Sequence, residues 1–352
     1  MGSALRAAVL FLAGVVAACE SRGEPPAATD ASRWKIEHRG AIPLPDHAFD
    51  AQGRRVTITG LSGIAWLGED RYAAVMDNSD SLLRFTVTLA ADGLPVAVKD
   101  LSVVKLGAVH DYEDLAVCRD GKPERIFVCE EDTPAIRIVA IEGGAVVGTV
   151  PLPPILRSRR PNRGLESLAI EPDCRHLWTA NEEALAVDGP PPTADEGTVV
   201  RLVRLMIGSE KSPALQLAYR VDPPHQFARL LPGESLSGVS AVVALGGDRL
   251  LVLERSGGPG LPPFFNRIYL VDVRGAADVS AVDRDLAKRP DAFLPKTLLW
   301  SAAIGVNLEG ICLGAGLGPG RRAIVGISDN GGLGTPSHVV GFEFSAGRAT
   351  SP

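Results

Sequence analysis

The sequence predicts an all-β fold: a β-propeller of four-stranded blades, five in number with six as the alternative, its ring closed by an N-terminal strand. Three observations predict it. One strand–turn–strand phrase recurs five times along the 352 residues. Glycine (38) and proline (27) are plentiful, as many tight turns between short strands require. Apolar residues make up 45% of the chain, enough for a substantial core, while aromatics are only 5%.

The phrase begins with an inner strand. Its copies are Leu61-Ser62-Gly63-Ile64-Ala65-Trp66, Tyr112-Glu113-Asp114-Leu115-Ala116-Val117, Leu165-Glu166-Ser167-Leu168-Ala169-Ile170, Val239-Ser240-Ala241-Val242-Val243-Ala244 and Leu308-Glu309-Gly310-Ile311-Cys312-Leu313. A polar turn follows, such as Leu67-Gly68-Glu69-Asp70 or Glu171-Pro172-Asp173-Cys174. A second apolar strand then ends on polar or acidic residues: Asp77-Asn78, Glu130-Glu131, Asn181-Glu182-Glu183, Glu254-Arg255 and Ser328-Asp329-Asn330. The third strands, such as Leu83-Arg84-Phe85-Thr86-Val87 and Ile136-Arg137-Ile138-Val139-Ala140, alternate as half-buried strands do. A fourth strand is visible in four copies, for example Thr297-Leu298-Leu299-Trp300. The last copy lacks one, and Trp34-Lys35-Ile36-Glu37-His38 is placed to supply it. Four strands per unit, repeated radially, make a propeller.

Residues 45 to 56 read as an irregular lead-in. The insertions Ala186 to Thr198, Asp222 to Leu236 and Ala276 to Pro295 keep six blades open, and Ala276 to Ala292 reads as a short surface helix. Cys118 and Cys129 flank one hairpin turn about four residues out of register. That is roughly 13 Å, too far for a bridge. The expectation for Cys118, Cys129, Cys174 and Cys312 is free, mostly buried thiols.

The N-terminus reads as a targeting segment. Arg6 gives a basic start, and Ala7 to Ala18 is an apolar run too short to span a bilayer. Val16-Ala17-Ala18-Cys19 resembles a bacterial lipobox, which implies lipidation of Cys19; an ordinary cleaved secretory signal is the alternative. The expected organisation is a signal at 1–19, a tether at 20–33, one propeller at 34–346 and a tail at 347–352. The expected location is the cell envelope, by lipid anchor only, as a monomer. The net charge of -6 argues against a nucleic-acid surface.

Several phrases together resemble a known family. They include Leu61-Ser62-Gly63-Ile64-Ala65, Asn162-Arg163-Gly164-Leu165-Glu166-Ser167-Leu168-Ala169, Leu177-Trp178-Thr179-Ala180-Asn181-Glu182, Leu251-Val252-Leu253-Glu254-Arg255, Asn307-Leu308-Glu309-Gly310-Ile311 and Ser328-Asp329-Asn330. In this order, over about residues 57 to 344, the chain is similar to the phytase-like propellers described as "esterase-like activity of phytase". The second copy departs, with Glu113-Asp114 where Glu-Gly is usual. That puts its turn geometry in question, since Gly accepts positive φ and Asp does so reluctantly.

The repeated acids carry the chemistry. Glu113, Glu166 and Glu309 are expected to form one ring at the channel mouth. Asp77, Glu130, Glu182, Glu254 and Asp329 are expected to form a second. Converging carboxylates repel unless cations neutralise them. Hard oxygen ligands suit Ca²⁺ best, with Mg²⁺ also possible. The expected metal ligands are Glu113, Glu130, Glu166, Glu309, Asp329 and Asp77. The bland alternative is that a repeated Glu accepts backbone N–H groups and staples neighbouring blades. Arg163 and Arg255 offer planar forks for an anion, with Asn330 and Glu183 beside the same site. The resemblance implies a hydrolase of phosphate or other esters, in which Glu182 and Glu254 handle water while Arg163 and Arg255 stabilise developing charge. A non-catalytic surface propeller that binds a ligand or a partner protein is the alternative. A sugar-lactone hydrolase on a calcium propeller is a third reading. No Gly-x-Ser-x-Gly, HExxH or P-loop motif is present.

Overall fold

Alternating apolar residues with a polar turn every six to ten positions leave each phrase one stable arrangement, a small antiparallel sheet with both faces covered. The computed structural model describes residues 33–118, 125–208, 214–229, 233–330 and 335–346. The signal segment, Cys19, the tether up to residue 32 and the tail at 347–352 lie outside the described residues.

The strands are β1 (Trp34–Pro43), β2 (His47–Asp50), β3 (Arg55–Thr57), β4 (Leu61–Gly68), β5 (Arg71–Met76), β6 (Ser79–Leu89) and β7 (Pro95–His110). They continue with β8 (Tyr112–Val117), β9 (Arg125–Glu130), β10 (Ala135–Ala140), β11 (Val146–Val150), β12 (Leu165–Ile170), β13 (His176–Asn181), β14 (Val199–Met206) and β15 (Leu215–Arg220). The last are β16 (Leu236–Ala244), β17 (Arg249–Gly257), β18 (Phe264–Asp272), β19 (Lys296–Ala302), β20 (Asn307–Gly318), β21 (Arg321–Asp329) and β22 (His338–Ala346). They form five sheets, so the ring has five blades. Blade 1 holds β2 to β7, blade 2 β8 to β11, blade 3 β12 to β15, and blade 4 β16 to β19. Blade 5 is β20 to β22 completed by β1, with Ile36 opposite Phe344. The N-terminal strand therefore closes the ring, as its position after the last incomplete unit predicts.

Residues 45–56 are more regular than expected. β2 pairs antiparallel with β3 and parallel with β7, widening blade 1 to six strands. The turn between β2 and β3 is set by Asp50, whose carboxylate accepts the backbone N–H groups of Gln52 and Arg54 at 2.9 Å each. The Ala276–Ala292 segment forms two short 3₁₀ turns, Leu286–Lys288 and Pro290–Ala292, and no α-helix. Asp285 sits at φ 57°, and Pro290 has no N–H to continue a helix. The segment lies along β15 of blade 3, with Val279 N–H on Gln216 O at 2.8 Å and Leu294 N–H on Ala218 O at 2.9 Å. Arg201, fully buried, pins it by donating to Val282 O at 2.7 Å while forking onto Asp188 at 2.6 and 2.7 Å.

Apolar clusters fill the five seams between consecutive blades. Between blades 3 and 4, for example, Trp178, Tyr219 and Leu217 meet Val242, Leu250 and Val252. Each such side chain contributes about 1.5–3 kcal/mol by leaving water. The inner strands β4, β8, β12, β16 and β20 line the axis with small or apolar residues, including Ala65, Ala116, Ala169 and Val243.

Two expectations need correcting. Cys118 and Cys174 form a disulfide, with Cα atoms 5.4 Å apart, while Cys129 stays a buried free thiol. Hairpin geometry excludes Cys118–Cys129, but Cys118 ends the inner strand of blade 2 beside the first turn of blade 3. Cys174 reaches it across the seam. With a sequence separation of 56, the bridge restricts the unfolded chain by about 4 kcal/mol. The second correction concerns Asp114. At the matching positions, Gly63 and Gly310 do not adopt positive φ. They are small because the inner strands crowd the axis: a Cβ on Gly310 would lie 2.9 Å from Gly63 Cα. Asp114 fits instead as a staple, its carboxylate accepting the N–H of Leu168 from blade 3 at 2.7 Å and that of Leu115 at 2.8 Å.

Candidate functional site

The pairing of first and second strands shifts register by one residue at the same place in every blade. Tyr112 pairs with Glu130 and Asp114 with Cys129, leaving Glu113 unpaired. Leu165 and Ser167 flank Glu166 in the same way, and Leu308 and Gly310 flank Glu309. In blade 4 the displaced residue is Ser240, and in blade 1 the shift falls at Ser62-Gly63. A displaced residue of this kind re-aims its side chain. Glu113, Glu166, Glu309 and Ser62 all line the mouth.

The same register settles the second ring. Partners of the residues before the shift are Met76, Glu130, Asn181, Glu254 and Ser328. These positions face away from the mouth. The residues that follow them, Asp77, Glu131, Glu182, Arg255 and Asp329, line it. Asp77, Glu182 and Asp329 are thus placed as expected. Glu130 and Glu254 are one residue out of step, and a slip of one sends a strand side chain to the opposite face. Glu130 is fully buried against Arg137, which donates to it through Nε and, at 3.0 Å, through Nη2. Glu254 is fully buried as well. It accepts from Tyr219 Oη at 2.6 Å, Lys296 Nζ at 2.5 Å and Asp222 N–H at 3.0 Å. Neither belongs to the mouth.

The mouth is a funnel of about 190 Å³ lined by Asp77, Asp111, Glu113, Glu131, Glu166, Glu182, Glu309 and Asp329. Among the described residues two cationic side chains join these eight acids, Arg163 and Arg255. Asp111 and Glu131 were not singled out from the sequence. Counting to the sixth residue from Tyr72, Ile126, Leu177, Leu250 and Ile324 finds Glu131 in step with Asp77, Glu182, Arg255 and Asp329.

The two arginines differ. Arg255 is saturated: Nη1 donates to Glu309 Oε1, and to Asn307 Oδ1 at 3.4 Å. Its Nη2 donates to Glu182 Oε1 at 2.8 Å and lies 3.7 Å from Glu166. Burial opposes its charge, but Glu309, Glu182 and Glu166 more than offset this and raise it above the usual guanidinium range. Arg163 is held at two nitrogens: its Nε donates to Glu183 at 3.1 Å, and its Nη1 donates to Asn162 O at 2.6 Å and lies 3.2 Å from Glu182. Glu183, predicted beside the ligand, is buried and orients Arg163. Asn330 lies outside the funnel, next to Thr59, whose hydroxyl donates to it at 3.4 Å.

The acids hold protons tightly. Burial first, then the charges of Asp111, Glu131, Glu309 and Asp77, push Glu113 well above the usual carboxylate range. Burial and then Glu113 and Glu182 do the same to Glu166. Burial is also the largest cause for Glu131, pushed up to about 7, for Glu309, to about 7, and for Asp77, to about 6. Ligand-competent oxygens of Asp111, Glu113 and Glu131 lie within 4.8 Å of one another, as do those of Glu131, Glu166 and Glu182. Glu309 Oε2 is buried without a hydrogen-bond partner. No histidine or cysteine lines the funnel.

Some solved structures resemble the chain at a distance. The Pseudomonas aeruginosa periplasmic gluconolactonase PpgL matches at 12% identity and a TM-score of 0.37, over 86% of this chain and 94% of that one. A glucose dehydrogenase matches at 9% identity and a TM-score of 0.38, over 88% of this chain and 100% of that one. The Kuenenia stuttgartiensis hydrazine synthase matches at 9% identity and a TM-score of 0.37, over 78% of this chain, which spans 58% of that one. Likeness at this level concerns the fold, not the chemistry. No curated protein sequence matches the chain. Residues 56–332, nearly all of the propeller, match the phytase-like family described as "esterase-like activity of phytase", and the chain belongs to that family.

Proposed function

We propose that this propeller is a divalent-cation-dependent hydrolase of small anionic esters, phosphate monoesters first, working at the acidic mouth. One observation carries the reading: eight carboxylates converge on one funnel with two guanidiniums, and burial resists the ionisation of Glu113 and Glu166 among them. The donor set fits Ca²⁺, and Mg²⁺ second, because every charged ligand is a hard oxygen on a loop or displaced strand residue. The unpartnered Glu309 Oε2 fits the same ion. Asp111, Glu113 and Glu131 would hold it. When bound, it neutralises the carboxylates and polarises an ester oxygen.

The remaining work falls to this chain's own groups. Arg163, tethered through Nε by Glu183 and through Nη1 by Glu182 and Asn162 O, turns its remaining Nη2 group to a substrate anion. Glu309, outside the Asp111–Glu113–Glu131 ligand set and with a pKa of about 7, suits the transfer of a proton to or from water at neutral pH. Among the described residues no His or Cys lines the funnel and its one hydroxyl, Ser62, donates to Gly60 O, so water is the nucleophile assigned to it. The apolar channel below the ring, from Ile64, Leu115, Leu168, Val242 and Ile311, closes the funnel floor to charged groups.

The test is turnover of a generic phosphomonoester and a short acyl ester by the purified protein, with Ca²⁺, with Mg²⁺ and with chelator. Cation-dependent hydrolysis that falls at least 100-fold in Glu131→Gln is the expected result. Ligand binding at the mouth with no turnover of either ester under any condition would leave a binding propeller in its place.

We further propose export and a lipid anchor at Cys19, making the protein a cell-envelope monomer. The Cys118–Cys174 disulfide supports an oxidising compartment. Mass spectrometry of the mature N-terminus tests it: an unmodified Cys19, or cleavage elsewhere, contradicts the anchor.

A further inference from the structure

The five equivalent positions at the ends of the second strands carry Asp77, Glu131, Glu182, Arg255 and Asp329, so one of five breaks the acidic rule. That exception reaches out of blade 4 in both directions. Its guanidinium touches Glu166 and Glu182 of blade 3 and Glu309 of blade 5. The side chain is 15% exposed, and the carboxylates it meets are 5% to 10% exposed. A cation shared by three buried carboxylates from two blades stands where a metal ion would stand.

The funnel offers two triads of close carboxylate oxygens. The Glu131–Glu166–Glu182 triad is the one whose members Glu166 and Glu182 meet Arg255. Among the described residues, no ion pair reaches Asp111, Glu113 or Glu131. Glu309 borders both halves: Oε1 is taken by Arg255 and Asn307, while Oε2 is buried and unpartnered on a side chain 10% exposed that lines the funnel. One half of the mouth thus brings its own positive charge, and in the other half no cation comes within ion-pair distance of the carboxylates among the described residues.

We propose that the Arg255 guanidinium is a built-in counter-cation filling one of two cation positions in the mouth, so that the protein takes one divalent ion, at Asp111, Glu113 and Glu131, rather than two. The inference rests on the cation-dependent reading above and fixes its stoichiometry. It also separates the two arginines: Arg163 is free to meet an anion, and Arg255 completes the cation arrangement. Replacing it by a neutral residue should vacate a second position bordered by Glu166, Glu182 and Glu309, the three carboxylates that meet the guanidinium.

The experiment is Ca²⁺ binding by calorimetry and equilibrium dialysis, on the wild type, Arg255→Gln and Arg255→Lys, at pH 7.5. One ion per wild-type chain, two per Arg255→Gln chain and one per Arg255→Lys chain are expected. Arg255→Lys keeps the charge and so keeps the test readable if Arg255→Gln does not fold; two ions in Arg255→Lys overturn the inference. One ion in both the wild type and a folded Arg255→Gln, or two in the wild type, overturn it while leaving a cation-dependent site intact. No ion in the wild type overturns the cation-dependent reading, and this inference with it.

Discussion

Two neighbouring residues of β17, Glu254 and Arg255, stand in two different acidic regions. Glu254 lies in the seam between blades 3 and 4, where every charge has a partner. Lys296 bridges Glu254 and Asp222 at 2.5 and 2.7 Å. The Lys296 ammonium also sits 4.2 and 5.0 Å from the Tyr269 and Tyr219 ring centroids. Arg255 faces the mouth, where eight acids share two guanidiniums. Burial is similar in the two regions; cation supply is not. A buried acid given its cation by the chain is architecture, holding the Asp222 loop against the blade. Buried acids left short of cations must stay protonated or bind an ion from solution.

That contrast can be broken from either side. Glu254→Ala should have the largest effect, about 3–5 kcal/mol lost in denaturant unfolding, because Lys296 would be left buried beside Asp222 alone. The Ca²⁺ stoichiometry of whatever remains folded should not change. A Glu254→Ala protein of normal stability that no longer binds Ca²⁺ would move Glu254 from the architecture to the site.

Next in size is the pH response of the metal-free protein. Glu131 and Glu309 have folded pKa values of about 7, and Asp77 about 6, all above their unfolded values. A carboxyl with a raised folded pKa binds protons more tightly when folded. Its contribution is fully present below the unfolded value near 4 and is lost as pH rises through the folded value. In chelator, the melting temperature should therefore fall between about pH 4.5 and 7, by on the order of 5 °C. Saturating Ca²⁺ should flatten the fall. A chelated protein that grows more stable across this window would contradict the crowded, cation-poor mouth.

The smallest expected effect is at Arg163. Arg163→Ala removes one charged hydrogen-bonding edge, worth about 1.5–3 kcal/mol, so inorganic phosphate should bind roughly 10- to 100-fold more weakly to the Ca²⁺-loaded protein. Ca²⁺ binding itself should hold. Loss of Ca²⁺ binding with phosphate binding retained would reverse the roles given to the two arginines.

Most of the fold is legible in the sequence because period-2 strands and tight turns are local signals. The missing fourth strand of the last unit even shows how the ring closes. The site is legible only by half. Glu113, Glu166 and Glu309 are found because their repeated phrase marks the register shift that aims them inward. Glu130 and Glu254 mislead because matching residues by type slides two second strands by one position, while strand geometry counts positions. Glu131 stands beside Glu130 and was passed over for that reason. Asp111 precedes its strand, outside the repeated phrase. The Cys118–Cys174 bridge joins two blades, and spacing within one hairpin carries no information about contacts across a seam.

The central claim is that the mouth of this propeller requires a divalent cation from solution. The most direct measurement is the melting temperature of the chelator-treated protein at pH 7.5, titrated with Ca²⁺, beside Glu131→Gln. A saturable rise in the wild type, of about 2.7 kcal/mol at one hundred times the dissociation constant, absent or shifted at least 100-fold in Glu131→Gln, is the predicted result. A wild type unmoved by Ca²⁺ or Mg²⁺, or a Glu131→Gln protein that responds as the wild type does, would contradict the account.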